Sequence, residues 1–449
     1  MPTGSDLPRL MRRHPAPPVR MVHLGPGAFF RSFVAPMTEE AGGWGIMAVA
    51  LASGRAREEL GPQGGVYTAV ELGPEGPVDR LVEVVAGVLV AAEEPGAVLA
   101  AMADPGVRVV TLTVTEKGYR PDPGDMDSPR SAAGWIVAAL ARRRATGVAP
   151  FTVLSCDNLA GNGHVIRDAV LGLARARDAG LADWIAAEGA FPCSMVDRIT
   201  PAMTEADRAA LAERTGVRDA GAVQHEPFAQ WVIEDRFVGG ARPAWETAGA
   251  QMVGDVAPFE AMKLRCLNGA HSALAYLGWL AGHGTVAEAA GDPVFAGYLR
   301  RLWAAEVGPS LTPPAGVSVP EYCDALLERF RNPAIRHQLR QIATDGSQKL
   351  PPRLLAPIRK RLAAGRPVPC LSLAVAGWMA HLSTDLLQDP MADRLRAVAG
   401  DPEAILRVAE VFDPALAGTP AFRTTILDAV DTLTRDGARA AVARLAQEA

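Results

Sequence analysis

The chain has 449 residues, with 45 Lys plus Arg against 50 Asp plus Glu, a net charge of −5 and 49% hydrophobic residues. That balance describes a globular chain in water with two or three domains, and it lacks the basic footprint of a nucleic-acid or anionic-membrane binder. Apolar runs such as Val84 to Ala92 are well short of the roughly 20 residues a membrane-spanning helix needs.

The opening residues, MPTGSDLPRLMRRHPAPPVR, are basic but carry no apolar segment of the secretory kind. Residues 1–18 are expected to form a flexible or surface-draped arm. Five cysteines (Cys156, Cys193, Cys266, Cys323, Cys370) stand far apart without a C-x-x-C pair, which fits reduced thiols and a cytoplasmic setting. Arg20 to Leu24 is a short apolar strand candidate running into Gly25-Pro26-Gly27-Ala28-Phe29-Phe30-Arg31 and a helix. Strand, glycine turn and helix is the dinucleotide-binding order, in which backbone N–H groups and the helix N-terminus face a pyrophosphate. Phe30 stands where the G-x-G-x-x-G pattern has its third glycine, so an ordinary strand-to-helix turn stays open as the alternative.

A second strand is expected at Gly45 to Leu51, followed by Ala52-Ser53-Gly54-Arg55-Ala56-Arg57. A nicotinamide-binding unit usually places an acid here for the ribose hydroxyls. NAD is the expected cofactor, and the missing acid leaves NADP open: Arg55 and Arg57 either accommodate a 2′-phosphate or lie solvated on a helix. Further strands are expected at Val107 to Val114 and Phe151 to Ser155, each preceded by a helical stretch and each ending in a polar cluster, Thr115-Glu116-Lys117-Gly118-Tyr119 and Ser155-Cys156-Asp157-Asn158. This alternation predicts an α/β domain built on a parallel-rich sheet, with ligands outside the carboxyl ends of the strands.

After about residue 255 strand-like runs give way to Ala/Leu/Arg-rich segments of helical period, so the boundary falls near Gly254 to Pro258. One helix is expected over Pro258 to Tyr276. At about 100° per residue Lys263, Glu260, His271 and Asn268 share a half-cylinder, and Lys263 and His271 stand about 12 Å apart along the axis. A lysine desolvated in an apolar pocket serves as a base near neutral pH, and an amide at Asn268 or Asn158 stabilises an oxyanion. A helix with a solvated polar edge is the competing reading.

Taken together the motifs HLGPGAFFR (His23 to Arg31), TVTEKGY (Thr113 to Tyr119), SCDNLAGNG (Ser155 to Gly163), FPCSMVDRITP (Phe191 to Pro201), EPFAQWVIEDRF (Glu226 to Phe237), KLRCLNGAHS (Lys263 to Ser272) and DGSQKLPPR (Asp345 to Arg353) resemble the long-chain polyol dehydrogenases, which include mannitol 2-dehydrogenase and the fructuronate and tagaturonate reductases. The resemblance implies a Rossmann-type domain over 19–255, a mainly α-helical substrate domain over 256–449, and an active site in the cleft between them. It implies cofactor-binding roles for Gly25, Gly27, Ala28, Phe29, Arg31, Thr115, Glu116, Lys117 and Asp197. By the same resemblance Lys263 is the general base, Asn158 and Asn268 donate to the oxyanion, His271 positions substrate hydroxyls, and Glu260 gates proton exit, unless it only pairs with the lysine along the helix.

No catalytic metal is expected, because the eight histidines and five cysteines show no ligand-like spacing. Gln341 and Lys349 are the further substrate-binding candidates. The DGSQKLPPR stretch looks more like the uronate-reductase branch, and Lys349 offers a cation to a sugar-acid carboxylate. The expected reaction is therefore NAD(P)-dependent reduction of a keto-uronate such as fructuronate to an aldonate such as mannonate, with a polyol and ketose pair such as mannitol and fructose, or arabinitol, as the alternative. An epimerase with tightly held NAD and a cofactor-binding protein without turnover are the competing classes. The expected partner is a small sugar acid or polyol, and the expected assembly a monomer or small homo-oligomer.

Overall fold

The structure is a computed structural model that describes residues 7–114, 118–121, 123–126 and 128–447. The chain divides into two compact units, Met1–Ala257 and Pro258–Ala449. No described helix is long and apolar enough to cross a membrane.

The strands of the first unit are, in chain order, β1 (Val19–Leu24), β2 (Gly45–Ala50), β3 (Tyr67–Gly73), β4 (Gly76–Val82), β5 (Val85–Val90), β6 (Val109–Leu112), β7 (Thr152–Ser155), β8 (Ser194–Asp197), β9 (Val223–His225), β10 (Gln230–Glu234) and β11 (Gln251–Val253). The helices α1 (Ala35–Ala41), α2 (Arg55–Leu60), α3 (Pro95–Ala103), α4 (Ala132–Ala145) and α5 (Asn162–Arg177) alternate with them. The main sheet has the order β5-β2-β1-β6-β7, and its neighbours pair in parallel. The chain works outward from β1 through β2 to β5, then returns to lay β6 and β7 on the other side. That reversal puts a topological switch point between β1 and β6.

These strands read as unbroken apolar runs because both faces are covered. Val110, Leu112 and Val153 pack under Trp135 and Leu140 of α4 and Ile166 and Val170 of α5. On the other face Met21, Ile46 and Val109 pack with Phe30, Phe33, Trp231 and Trp245. Each of the four sequence-predicted strands coincides with an observed one to within a few residues, the first beginning one residue earlier, at Val19. The third is shorter than expected, since Thr113 N bonds Leu24 O at 3.0 Å and Val114 N turns away to Asp157 Oδ2 at 3.0 Å. Two smaller sheets have the orders β4-β3-β9 and β11-β10-β8, and both contribute residues, among them Tyr67 and Trp231, to the cluster around Phe30. The arm from residue 7 lies on this unit: Leu10 N donates to Arg218 O at 2.8 Å, and Arg12 Nε to Gly64 O at 2.6 Å.

The second unit is helical among its described residues. Its chain opens with α6 (Ala257–Met262), a π-helical turn Lys263–Asn268, α7 (Gly269–Ala273) and a second π-helical turn Leu274–Gly278. The expected single helix is thus continuous but twice widened. Further on come α8 (Val319–Phe330), α9 (Gly346–Leu350), α10 (Pro369–His381) and α11 (Pro420–Asp436). Helix α10 is apolar on every side and buried almost throughout, which makes it the axis of this core. Its first N–H groups have no intrahelical acceptor. Glu306, itself 1% exposed, accepts from Cys370 N at 2.7 Å and Leu371 N at 2.8 Å.

Glu306→Ala leaves both buried donors without partners, at about 1–3 kcal/mol each. Urea titration is expected to read a loss of about 2–4 kcal/mol, with Glu306→Gln, which keeps one acceptor, losing less. Equal stability of Glu306→Ala and the parent chain would remove this cap from the account.

Candidate active site

The glycine turn leaves the central strand β1 at the switch point. Gly25 adopts φ +88°, and a Cβ there would stand 2.3 Å from Thr113 O, so no other residue fits. His23 locks the turn. Its Nδ1 lies 2.8 Å from Thr111 Oγ1, and its Nε2 lies 3.0 Å from Thr113 Oγ1 and 3.2 Å from Gly25 O. Gly25 O can only accept, so Nε2 carries the proton and Nδ1 accepts from the Thr111 hydroxyl. Complete burial depresses the His23 pKa to about 3, which keeps the imidazole neutral. Phe30 stacks on His23 with ring centroids 3.8 Å apart. The missing third glycine is thereby explained: the helix opens on a π-helical turn, Phe30–Val34, and its first aromatic fills the space between helix and strand.

Gly27 and Ala28 are exposed at the tip of the turn, and Phe29 is half-buried. Arg31 faces the other way. It is buried, donates to Gly221 O at 2.9 Å and to Gly27 O at 3.5 Å, and pairs with Glu59 at 2.8 Å, so it secures the helix from behind. Thr115, Glu116 and Lys117 lie outside the described residues. Tyr119, at the end of the same motif, donates to Asp157 Oδ2 at 2.7 Å and contacts Ser155 Oγ. Asp157 thus joins the loop after β6 to the loop after β7, where Asn158 is exposed. The buried amide of Asn162 braces that loop, donating to Asp157 O at 3.0 Å and Ser194 O at 2.8 Å and accepting from Ser194 N at 3.0 Å. Asp197 is buried at the end of β8, opposite Gln230.

In the second unit Lys263 opens the first π-helical turn and is 7% exposed; Glu260 and Asn268 are half-buried. The i→i+5 pattern inserts extra backbone between Lys263 and His271, so their angular relation departs from the uniform 100° step. His271 is buried on α7, stacked on Phe330 with centroids 4.6 Å apart and edge-on to His337 at 5.2 Å. Its Nε2 has no hydrogen-bond partner among the described residues. Burial first, then His337, Arg329, Arg353 and Lys263, drive its pKa well below the usual imidazole value. His337 itself falls to about 4, through burial and then Arg329 and Lys349.

The DGSQKLPPR segment folds for its own reasons. Asp345 takes φ +55°, and a Cβ on Gly346 would stand 2.2 Å from Trp378 Nε1. Ser347 is pinned to Asp389 through its N at 2.8 Å and Oγ at 2.6 Å. Lys349 turns back on its own loop, donating to Thr344 O at 2.6 Å and Ile342 O at 3.4 Å, and burial lowers its pKa. Gln341 is exposed on the short helix Leu339–Ile342. Arg353, which the sequence reading quoted but gave no role, donates to Ser272 Oγ at 3.2 Å next to His271. No carboxylate pairs with it among the described residues, and burial lowers its pKa to about 10.

Two family descriptions cover these features, the mannitol dehydrogenase Rossmann domain over residues 19–247 and the mannitol dehydrogenase C-terminal domain over residues 255–434. The chain belongs to the mannitol dehydrogenase family. Within that family it is 42% identical to the D-mannonate oxidoreductase of Escherichia coli, over 95% of both chains. It is 38% identical to a mannitol 2-dehydrogenase of Phaeosphaeria nodorum, over 95% of this chain and 81% of that one. Among solved structures, the Pseudomonas fluorescens mannitol 2-dehydrogenase ternary complex with NAD and D-mannitol superposes with a TM-score of 0.83 at 35% identity, covering 100% of this chain and 96% of that one. This family member is an oxidoreductase with a Rossmann-type first unit and a helical second one. Among the described residues no three His, Cys, Asp or Glu gather as metal ligands.

His23, Tyr119, Asp157, Asn162, Arg329, His337 and Arg353 were not among the expected site residues. Five of them stand inside the quoted motifs, so the signal was present. Their partners are far along the chain, 88 residues away for His23 and Thr111, and spacing carries no trace of that.

His23 also sets a pH dependence. Its folded pKa of about 3 lies below the unfolded imidazole value, so the unfolded chain binds the extra proton. The neutral-imidazole contribution is complete above about pH 6.5 and falls by about 1.4 kcal/mol per unit as pH drops towards 3. Unfolding free energies measured between pH 7.5 and 5.5 are expected to fall less steeply in His23→Asn, by up to one proton per molecule; parallel slopes would show that His23 does not titrate in this way.

Proposed function

We propose that this oxidoreductase interconverts a secondary alcohol and a ketone on a sugar acid, with NAD as hydride partner, and that the pair is of the mannonate and fructuronate type. The residues fit the dinucleotide. A Cβ on Gly27 would meet nothing nearer than Gly25 O at 3.9 Å, so the backbone at the tip is open to a pyrophosphate, and the helix behind it offers unpaired N–H groups. NAD, when bound, takes up or delivers the hydride.

The chain's own residues handle the proton and the oxygen. Lys263, enclosed in the apolar surface of its helix, takes the hydroxyl proton as carbon loses hydride, and returns it in reduction. The amides of Asn268 and Asn158 donate to the oxygen as charge develops on it. His271 stays neutral among its cationic neighbours, so its Nε2 holds a substrate hydroxyl without adding charge. Glu260, one turn before the lysine, is the group that would pass the proton to solvent.

The substrate class rests chiefly on the charge around His271. Lys263, Arg329 and Arg353 all act on it, and Arg353 bears on Lys349 in turn. Burying the Arg353 guanidinium, whose side-chain partner is the Ser272 hydroxyl, is costly, and an anionic ligand offsets that cost. A sugar-acid carboxylate supplies the charge, and the likeness to the E. coli D-mannonate oxidoreductase supports the same class. A neutral polyol is the second reading, favoured by the likeness to the P. fluorescens complex that holds D-mannitol.

Absorbance at the NADH band with fructuronate, tagaturonate, fructose, mannitol and arabinitol separates the two. The keto-uronates are expected to give the highest kcat/KM; higher values for fructose and mannitol would establish the polyol reading instead. Arg353→Ala is expected to raise KM for a keto-uronate by about 10-fold or more, the value of one charge-assisted hydrogen bond, with a far smaller effect on fructose. Lys349→Ala should discriminate in the same direction. Lys263→Ala is expected to lower kcat by about 10² to 10⁴, and near-normal turnover would take the base role from the lysine.

A further inference from the structure

In an open parallel sheet the pyrophosphate lies at the glycine turn of the central strand, and the adenosine ribose at the carboxyl end of its neighbour. Here that neighbour is β2, and the turn after it, Leu51 to Gly54, has no acid. The next strand outward, β5, runs in register with β2, Ala50 opposite Val90. The chain leaving β5 therefore passes beside the ribose position, and it reads Ala91-Ala92-Glu93-Glu94.

Both glutamates reach back to α2. Arg57 contacts Glu93 Oε2 through one guanidinium nitrogen and Glu94 Oε2 at 3.0 Å through another. Val90 N adds a bond to Glu94 Oε2 at 3.4 Å. The other oxygen of Glu93, Oε1, stands 3.6 Å from where a Cβ on Gly54 would lie. Arg55 is likewise held, by Glu59 at 2.7 Å. Neither arginine of α2 is without a carboxylate, and Arg57 has two.

We propose that Glu93 and Glu94 make this dinucleotide site selective for a free ribose 2′-hydroxyl over a 2′-phosphate. Two carboxylates on one guanidinium leave a net negative charge beside the β2 turn. A phosphate monoester carries about −1.5 to −2 at neutral pH, so it is repelled, and it reaches Arg57 only by displacing a carboxylate that is then left unpaired. A hydroxyl donates to Glu93 Oε1 without breaking anything. The acid that the β2 turn lacks is thus supplied across the sheet edge. This inference rests on the dinucleotide reading of the first unit, and not on the assigned sugar or on Lys263.

The test is equilibrium binding of NADH and NADPH to the full chain without any sugar, followed by tryptophan fluorescence or calorimetry. The parent protein is expected to bind NADH at least about 100-fold more tightly than NADPH. Glu93→Gln with Glu94→Gln is expected to narrow that ratio at least 10-fold, mainly by tightening NADPH, and a further Arg57→Gln should abolish the gain. Thermal unfolding confirms that these surface variants fold. Equal affinities in the parent, or an unchanged ratio in the double variant, would overturn the proposal. Failure of the parent to bind either nucleotide would overturn the dinucleotide reading along with it, whereas loss of sugar turnover with the ratios intact would touch only the Lys263 and substrate assignments.

Discussion

The Thr113 carbonyl comes so close to residue 25 that a Cβ there would stand 2.3 Å from it, and the first unit is organised around that approach. For two backbones to meet this tightly at the switch point, β1 and β6 must end together and their last groups must be satisfied locally. His23 does this with one neutral ring, joining the Thr111 and Thr113 hydroxyls to the Gly25 carbonyl. Neutrality is required by burial, since a charged imidazole at 0% exposure would have no counter-charge in reach among the described residues. Phe30 then covers the ring, and the helix that follows is placed by that stack. Because β6 stops short, Val114 is released to Asp157, and the loop bearing Asn158 is positioned by the same aspartate. One steric constraint thus passes through hydrogen bonds to both loops at the carboxyl end of the sheet.

The second unit solves a different problem, the burial of positive charge. Lys349 donates to the carbonyls of Thr344 and Ile342, with Asp345 Oδ2 farther off at 3.9 Å, and Arg353 reaches a serine hydroxyl with no carboxylate paired to it among the described residues. Carbonyls and hydroxyls solvate a cation but do not neutralise it. The first π-helical turn contributes here as well, because it relaxes the i→i+4 ladder where Lys263 and Asn268 stand on an apolar helix. The first spans Lys263–Asn268, and α7 carries His271 directly after it. Widening the helix at the residues proposed to bear the chemistry fits the tendency of such bulges to occur at functional sites.

Periodicity and composition made the main sheet legible, since β1, β2, β6 and β7 are buried on both faces and read as apolar runs. The hairpin of β3 and β4 escaped because β4, GPVDRLV, is exposed along most of its length and mixes charge with apolar residues. Strands β8 to β11 are three to five residues long, too short for a period to show. The motif residues of the site were legible from order and resemblance. Their protonation states were not, because the neutrality of His271 comes first from burial and then from His337, Arg329, Arg353 and Lys263, and all but the last lie far along the chain. The π-helical turns were hidden for a related reason: a wheel at constant pitch has no place for an inserted residue.

On the two proposals above, Arg57 and Arg353 let a chain of net charge −5 address two anions differently. Global charge gives neither any attraction, so each must be drawn by local groups. Where a phosphate is to be refused, the guanidinium is half-exposed and already met by two carboxylates. Where a carboxylate is to be accepted, the guanidinium is largely buried and meets a neutral hydroxyl. Coulomb interactions are several-fold stronger in the second setting than in the first, because the effective dielectric is lower and salt screens less. Selectivity against a phosphate can therefore rest on pairing at the surface, while affinity for a sugar acid needs burial, and the roles proposed for the two arginines follow that division.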